Sequence, residues 1–362
     1  MSLRSLADQH FNARRLLAMT ATAELTGLWR ENVSSSNIYR SWRSVIPQAS
    51  EKLSEYQARA AADGQQYMTA TLLDAGMEPE GPSLEPAGFA GFTYPLDGVP
   101  ARMLEESLEY PAYRALHGLR VGESSDRALA AGLDSLVRTG STAVADAGRN
   151  ADGVAFATEP KVRGYVRQTE PDACARCIIL AGRRYRTNDG FLRHPNCLCE
   201  HVPIIAGGEP ASHQDVYELF DALSESEQDR IFTQAGAQAI RDGADMYQVV
   251  NARRGMSTTE GGSLATSEGM TRTRSGGYRG AAGQIMQRNN VRGARMMPEE
   301  IYKRVSHLPD GDHRDRLIRD QLERYGYILP GRQDTDGVLQ PQLSGWYGAS
   351  ASERRAALRQ GL

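Results

Sequence analysis

Apolar residues along the first thirty positions fall on one helix face. Leu3, Leu6, Phe11, Leu17, Leu25, Leu28 and Trp29 recur at helical spacing, with Arg14, Arg15 and Arg30 interleaved, which predicts an amphipathic helix over 3–29. Ser34 to Asn37 supply turn and cap residues. A second periodic run covers Ile38 to Val45, Pro47 bends or restarts it, and a further helix is predicted from Gln48 to Ala75, stopping at Gly76. Between Met77 and Pro100 the density of Pro and Gly excludes regular structure and reads as a connector. Phe89, Phe92 and Tyr94 inside it imply that the loop docks, on its own domain or on a partner.

Helical periodicity returns over Met103 to Leu119 and Ser124 to Asn150, and Lys161 to Arg167 then alternates apolar with basic residues as a strand does. Residues 151–205 read as a small mixed sheet. Two short helices follow, over Asp215 to Leu223 and Glu225 to Gly236, the second capped by Ser224 or Ser226. Residues 237–255 form a helical pair broken at Gly243; lacking a basic face, it reads as an ordinary hairpin rather than a DNA-reading helix-turn-helix. From Asn251 to Arg295 order is expected to fail. Arg253, Arg254, Arg272, Arg274, Arg279, Arg288, Arg292 and Arg295 stand against Glu260 and Glu268, a local net of +6 amid Gly, Ser and Thr. Helices over Pro298 to Val305 and His313 to Tyr325 precede a Pro/Gly/Gln tail.

The expected fold class is therefore α+β: a mainly helical N-terminal region, a small sheet core stabilised by a Cys-rich site, and a helical C-terminal extension carrying a disordered Arg/Gly-rich arm. The divisions are 1–76, helical; 77–100, connector; 101–205, core with the cysteine site; 206–255, helical extension; 256–297, flexible basic arm; and 298–362, C-terminal helices and tail. A chain of 362 residues is long for one hydrophobic core, which agrees with several packed regions. The net charge of −3 gives no global attraction to nucleic acid or membrane, so any basic surface is local. The N-terminus has no apolar stretch of signal-peptide length and no run of about 18 apolar residues occurs, so a soluble, cytosolically made protein is expected.

All four cysteines crowd into one segment, Cys174-Ala-Arg-Cys177 and then His194-Pro-Asn-Cys197-Leu-Cys199. Zinc takes four tetrahedral ligands from thiolate and imidazole, commonly as two short ligand turns joined by a spacer. Cys174 and Cys177 make one such turn. At spacing i, i+2 in an extended chain, Cys197 and Cys199 point to the same face and make the second. With His194 the segment offers five donors for four positions. Two disulfides, or reduced thiols packed as small hydrophobes, are the alternatives. Catalytic zinc would need an open position and a base; Glu200 and His201 are adjacent, but four thiolates close the site. No nucleophile elbow or phosphate loop is present. The paired Glu105/Glu106 and Glu299/Glu300 sit at helix starts, as favourable dipole partners.

The run from Asp172 through Gly182, continued by His194-Pro-Asn-Cys197-Leu-Cys199-Glu-His-Val-Pro203, resembles the core motif of the Mu F-like minor head proteins of tailed bacteriophages. Residues 227–255 are similar to versions from phages of actinobacteria. Leu198 departs from the family, which commonly has Arg between the last two cysteines. The resemblance implies a non-enzymatic minor capsid protein of the virion, assembled in the host cytoplasm. It further implies a role in head morphogenesis, with portal, capsid or scaffold components as partners and a place inside the head near packaged double-stranded DNA. The arginines above would then meet phosphates, unless the arm is only a solvated linker. The N-terminal helices, with Trp29, Trp42 and the aromatic connector, are the candidate portal surface, packing among themselves being the plainer reading. The competing class is a zinc-dependent nuclease or other effector enzyme carried in the head and delivered with the genome; His194 and Asn196 suggest a His-Asn-His nuclease, but the sole Asp-His dipeptide, Asp312-His313, lies far downstream in a helical context.

Overall fold

The computed structural model describes residues 3–95, 100–170, 173–191, 193–208 and 214–329. The C-terminal tail lies outside the described residues. The chain divides into two units, one formed by Met1–Thr169 with Arg184–His213 and the other by Glu170–Arg183 with Gln214–Leu362.

In the first unit, α1 (Leu3–Asn32), α2 (Ile38–Arg43), α3 (Ile46–Asp74), α4 (Leu104–Arg120) and α5 (Ser125–Thr158) form a helical layer in which α5 packs against α1, α3 and α4. Pro47 does not bend a helix but starts α3, in whose first turn its missing N–H costs nothing. Leu25, Leu53, Leu104, Leu108, Leu136 and Val144 fill the core with Trp29 and Trp42. The two tryptophans are thus interior residues: Trp42 is fully buried, donates its indole N–H to the Leu108 carbonyl at 2.6 Å, and packs on Trp29 with ring centroids 5.0 Å apart. The connector also folds onto its own unit. Gln57, buried in α3, donates to the Phe92 carbonyl at 2.8 Å and accepts from the Gly91 N–H at 2.9 Å. Two short strands, β1 (Phe92–Thr93) and β2 (Arg102–Met103), pair there, where Pro and Gly argued against regular structure.

Helix α5 continues to Thr158, eight residues beyond the Asn150 end expected, because Ala151, Ala155 and Phe156 keep the buried face going. Three of its glycines receive α1. A methyl on Gly132 would lie 2.8 Å from the Trp29 ring, one on Gly140 would lie 2.6 Å from Leu25, and one on Gly148 would coincide with the Arg14 guanidinium. Beside this layer β3 (Val162–Gln168) is the centre strand of a sheet with β4 (Arg184–Tyr185) and β5 (Glu200–Ile205). Both pairings are antiparallel, so the sheet is not mixed; each neighbour runs back along β3.

The second unit holds α6 (Ala175–Ile178), α7 (Val216–Asp221), α8 (Glu225–Phe232), α9 (Gln234–Arg241), α10 (Met246–Ala252), α11 (Ala281–Arg288), α12 (Pro298–Val305) and α13 (Asp312–Arg324). Phe220, Phe232, Ile240, Val249, Ile301 and Leu322 form its core. Ser224, not Ser226, caps α8, in a reciprocal capping box with Glu227. Thr233, at φ 69°, breaks what the pattern reads as one helix into α8 and α9.

The segment expected to be a flexible arm is folded. Strands β6 (Met256–Thr258), β7 (Leu264–Thr266) and β8 (Arg295–Met296) make an antiparallel sheet, and α11 buries Ala282, Ile285 and Met286. Arg295 is part of this core. It is fully buried, donates to the Tyr325 carbonyl at 2.9 Å and the Gly326 carbonyl at 3.1 Å, and lies 4.1 Å from the centre of the Tyr327 ring. It is therefore no candidate for DNA. The other seven arginines of the segment are exposed.

Gly148→Ala should destabilise the protein by about 3 kcal/mol or more, through overpacking and loss of a buried ion pair. Gly153→Ala, on the same helix with nothing within 4 Å of the added methyl, should change stability by no more than about 1 kcal/mol and in the favourable direction. Denaturant unfolding of the two variants checks both.

Candidate functional site

Cys174 occupies the N-cap of α6, and Cys177 follows one turn later, with its N–H on the Cys174 carbonyl at 2.8 Å. Ile178 and Ile179, both buried, anchor this turn in the core of the second unit. Residues 194–199 approach β5 through a tight turn in which Asn196 takes φ 65° and the Cys197 N–H bonds the His194 carbonyl at 3.1 Å. Thr142 Oγ1 accepts from the Asn196 N–H at 2.7 Å. Arg149, buried in α5, donates to the carbonyls of Cys197 at 2.8 Å and Cys199 at 3.0 Å. A guanidinium thus fixes the backbone that carries two of the sulfurs.

None of the four cysteines forms a disulfide. The sulfurs of Cys174 and Cys177 lie within 4.8 Å of each other, and so do those of Cys197 and Cys199. Each sequence-predicted cysteine pair is thus brought together within its own unit, Cys174 with Cys177 in the second and Cys197 with Cys199, preceded by His194, in the first. A cysteine cluster with a histidine beside it is present, and it can hold a metal ion. His194 Nδ1 lies 2.9 Å from the Pro195 carbonyl; donation there leaves the lone pair on Nε2. Arg167 of β3, almost fully buried, points Nη2 at Cys199 Sγ, 3.3 Å away, and at Cys197 Sγ, 3.6 Å away, while its guanidinium covers the Phe191 ring at 4.4 Å. A cationic donor of this kind favours sulfur as thiolate, the form that binds metal. Leu198 points the other way, as alternation requires, and packs on the helical core of its unit; an apolar residue suits that place.

Next to the cysteines lies a charged group that the pattern of the sequence did not reveal. His10 and Arg14 of α1 are buried, not on a solvated face. Arg14 Nε reaches Asp63 Oδ2 of α3 at 2.7 Å, and its Nη2 reaches Asp152 Oδ1 of α5 at 2.8 Å. His10 Nδ1 lies 2.7 Å from Asp63 Oδ2, and its Nε2 lies 3.5 Å from Asp152 Oδ2. The Tyr67 ring stacks on the imidazole, 4.0 Å between centroids and 7° from parallel. Glu200 and His201 of β5 complete the group, His201 Nδ1 being 3.8 Å from Asp152 Oδ2. A separate pair of arginines, Arg149 and Arg193, shares the Asp146 carboxylate.

Burial by itself would keep His10 neutral, but the Asp152 and Asp63 carboxylates outweigh it and raise its pKa to about 9. Burial likewise opposes charge on Asp152, yet Arg14 and His10 hold it far below the ordinary carboxylate range. Glu200 is pushed up to about 7 by burial, with Asp152 adding to the rise and Arg14 opposing it. His201 is lowered, by burial first.

No protein-family model, curated protein or solved structure matches the chain. Among the described residues no helix is long and apolar enough to cross a membrane.

A histidine whose folded pKa exceeds its unfolded value stabilises the fold below the unfolded pKa and loses that contribution as pH rises through the folded one. For metal-free protein in chelator, the His10 contribution should be complete below about 6.5 and disappear by about 9. Unfolding free energy should fall by a few kcal/mol across that window, and His10→Gln should flatten the fall.

Proposed function

We propose that the chain is a minor capsid protein of a tailed bacteriophage, acting in head morphogenesis, with a structural zinc ion at its cysteine cluster. The observation that carries the reading is the close pairing of Cys174 with Cys177 and of Cys197 with Cys199, because these residues belong to the motif on which the resemblance to Mu F-like head proteins rests. Three thiolates around a divalent ion leave one net negative charge. Arg167 supplies the compensating positive charge at two of those sulfurs. With Cys174 or His194 as fourth ligand the ion is closed off by protein, the arrangement of structural rather than hydrolytic zinc.

Head assembly calls for protein surfaces and for tolerance of DNA. The portal contact cannot use Trp29 or Trp42, which are interior, but α4 turns outward Tyr110, Tyr113 and Leu116, respectively 60%, 47% and 39% exposed. Tyr39 of α2 stacks on Tyr113, with centroids 5.5 Å apart, and extends this row. Exposed tyrosines of this kind are among the residues on which binding energy concentrates in protein interfaces. The seven exposed arginines between Arg253 and Arg292 are the residues for packaged DNA, where phosphate contacts give affinity without sequence preference. The reading places the protein inside the phage head, at the portal.

The decisive experiment is the assembly of heads without this chain. Portal incorporation or infectivity should fall, and heads of unchanged composition and infectivity would overturn the assignment. For the metal, cobalt-substituted protein should show sulfur-to-metal charge transfer. Cys177→Ser or Cys199→Ser should abolish that band and lower Tm by more than about 5 °C, since structural zinc contributes on the order of 10 kcal/mol in small sites.

A further inference from the structure

A second group of donors lies within the first unit, with different chemistry from the thiols. His10 Nε2 from α1, Asp152 Oδ2 from α5 and Glu200 Oε2 from β5 are each buried without a hydrogen-bond partner. Ligand atoms of these three residues lie within 4.8 Å of one another, and the residues are 4%, 0% and 2% exposed. His201 Nδ1, also without a hydrogen-bond partner, stands beside Asp152. Acceptors shut away from water need a proton or a cation between them; in metal-free protein a proton on His10 takes that place beside Asp152, and a metal ion would displace it.

The surroundings are built for a cation. Asp63 lies against His10 Nδ1, where it takes the ring proton and turns the Nε2 lone pair inward, the relation that a carboxylate bears to a metal-binding histidine. Tyr67 stacks on the ring and fixes its plane. The formal charges also balance. With a divalent ion bound and His10 therefore neutral, Asp63, Asp152 and Glu200 would carry three negative charges against one positive on Arg14, and the ion would bring the group to neutrality. Arg149, a further cation acting on Glu200, is paired with Asp146.

We propose that His10, Asp152 and Glu200 form a second, thiol-free divalent-cation site that ties α1 to α5 and β5. Imidazole and carboxylate ligands suit zinc, manganese or ferrous iron, and do not select the thiophilic metals that three cysteines do. The site is structural: every ligand is buried. Its existence does not depend on the proposed role in head assembly or on zinc at the cysteines.

The test is metal stoichiometry of the full chain, stripped with chelator and then equilibrated separately with zinc, manganese or cobalt alone. The double variant Cys197→Ser, Cys199→Ser should still retain one ion, and its cobalt form should lack the sulfur charge-transfer band. His10→Gln should lose that ion while keeping the band. Because His10→Gln can disturb packing, Asp63→Asn, outside the coordination shell, is measured as well; it should weaken the thiol-free ion by about 10- to 100-fold. Failure of the double cysteine variant to bind any of the three metals would overturn the proposal, as would unchanged affinity in both His10→Gln and Asp63→Asn. One ion in the wild type with no sulfur band supports this site and removes the thiol site; one ion with the full sulfur band does the reverse.

Discussion

The ion pair of Arg14 with Asp152 is the constraint around which the first unit is arranged. Both groups are buried, so each needs the other: either charge left alone in such a place would cost several kcal/mol. Satisfying them demands that α1 approach α5 closely at one level, and Gly148 and Gly64 are the residues that make the approach possible, since a methyl at either would meet the Arg14 guanidinium or the Asp152 carboxylate. Once α1 is held there, His10 is brought to Asp63 and Asp152, and β5 can add Glu200. The tryptophan and leucine core further along the same helices supplies most of the apolar burial, while the ion pair decides the register in which that burial happens.

Much of this arrangement was legible in the chain. The helices of the first unit follow its apolar periodicity, and the paired cysteines marked their own site. The charged group was harder to see, although a signal existed. Ala7, Phe11, Arg14, Ala18, Ala21, Leu25 and Leu28 all lie on the buried stripe of α1 at alternating spacings of four and three, so Arg14 occupies a seam position that an apolar residue would ordinarily take. Reading Arg14 as one of the polar interruptions concealed this. Its partners are distant in sequence, and no local pattern joins residues 14, 63, 152 and 200.

The arginine-rich segment misled for the opposite reason. Composition favoured disorder, yet Ala282, Ile285 and Met286 have helical spacing, and the strands about them are too short and too exposed on β6 to be recognised by alternation. Arg295 ties the segment to the chain after α13, bonding carbonyls about thirty residues away. One arginine of eight is structural, and nothing in its immediate neighbours distinguishes it.

Strand β5 begins where two chemistries adjoin. Cys199 and Glu200 are consecutive, each 2% exposed, and consecutive residues of an extended chain face opposite ways. A one-residue insertion or deletion at this junction would therefore present a carboxylate to the sulfurs and a thiol to Arg14, spoiling both environments at once. Both environments therefore hang on the register of the tetrapeptide from Cys197 to Glu200.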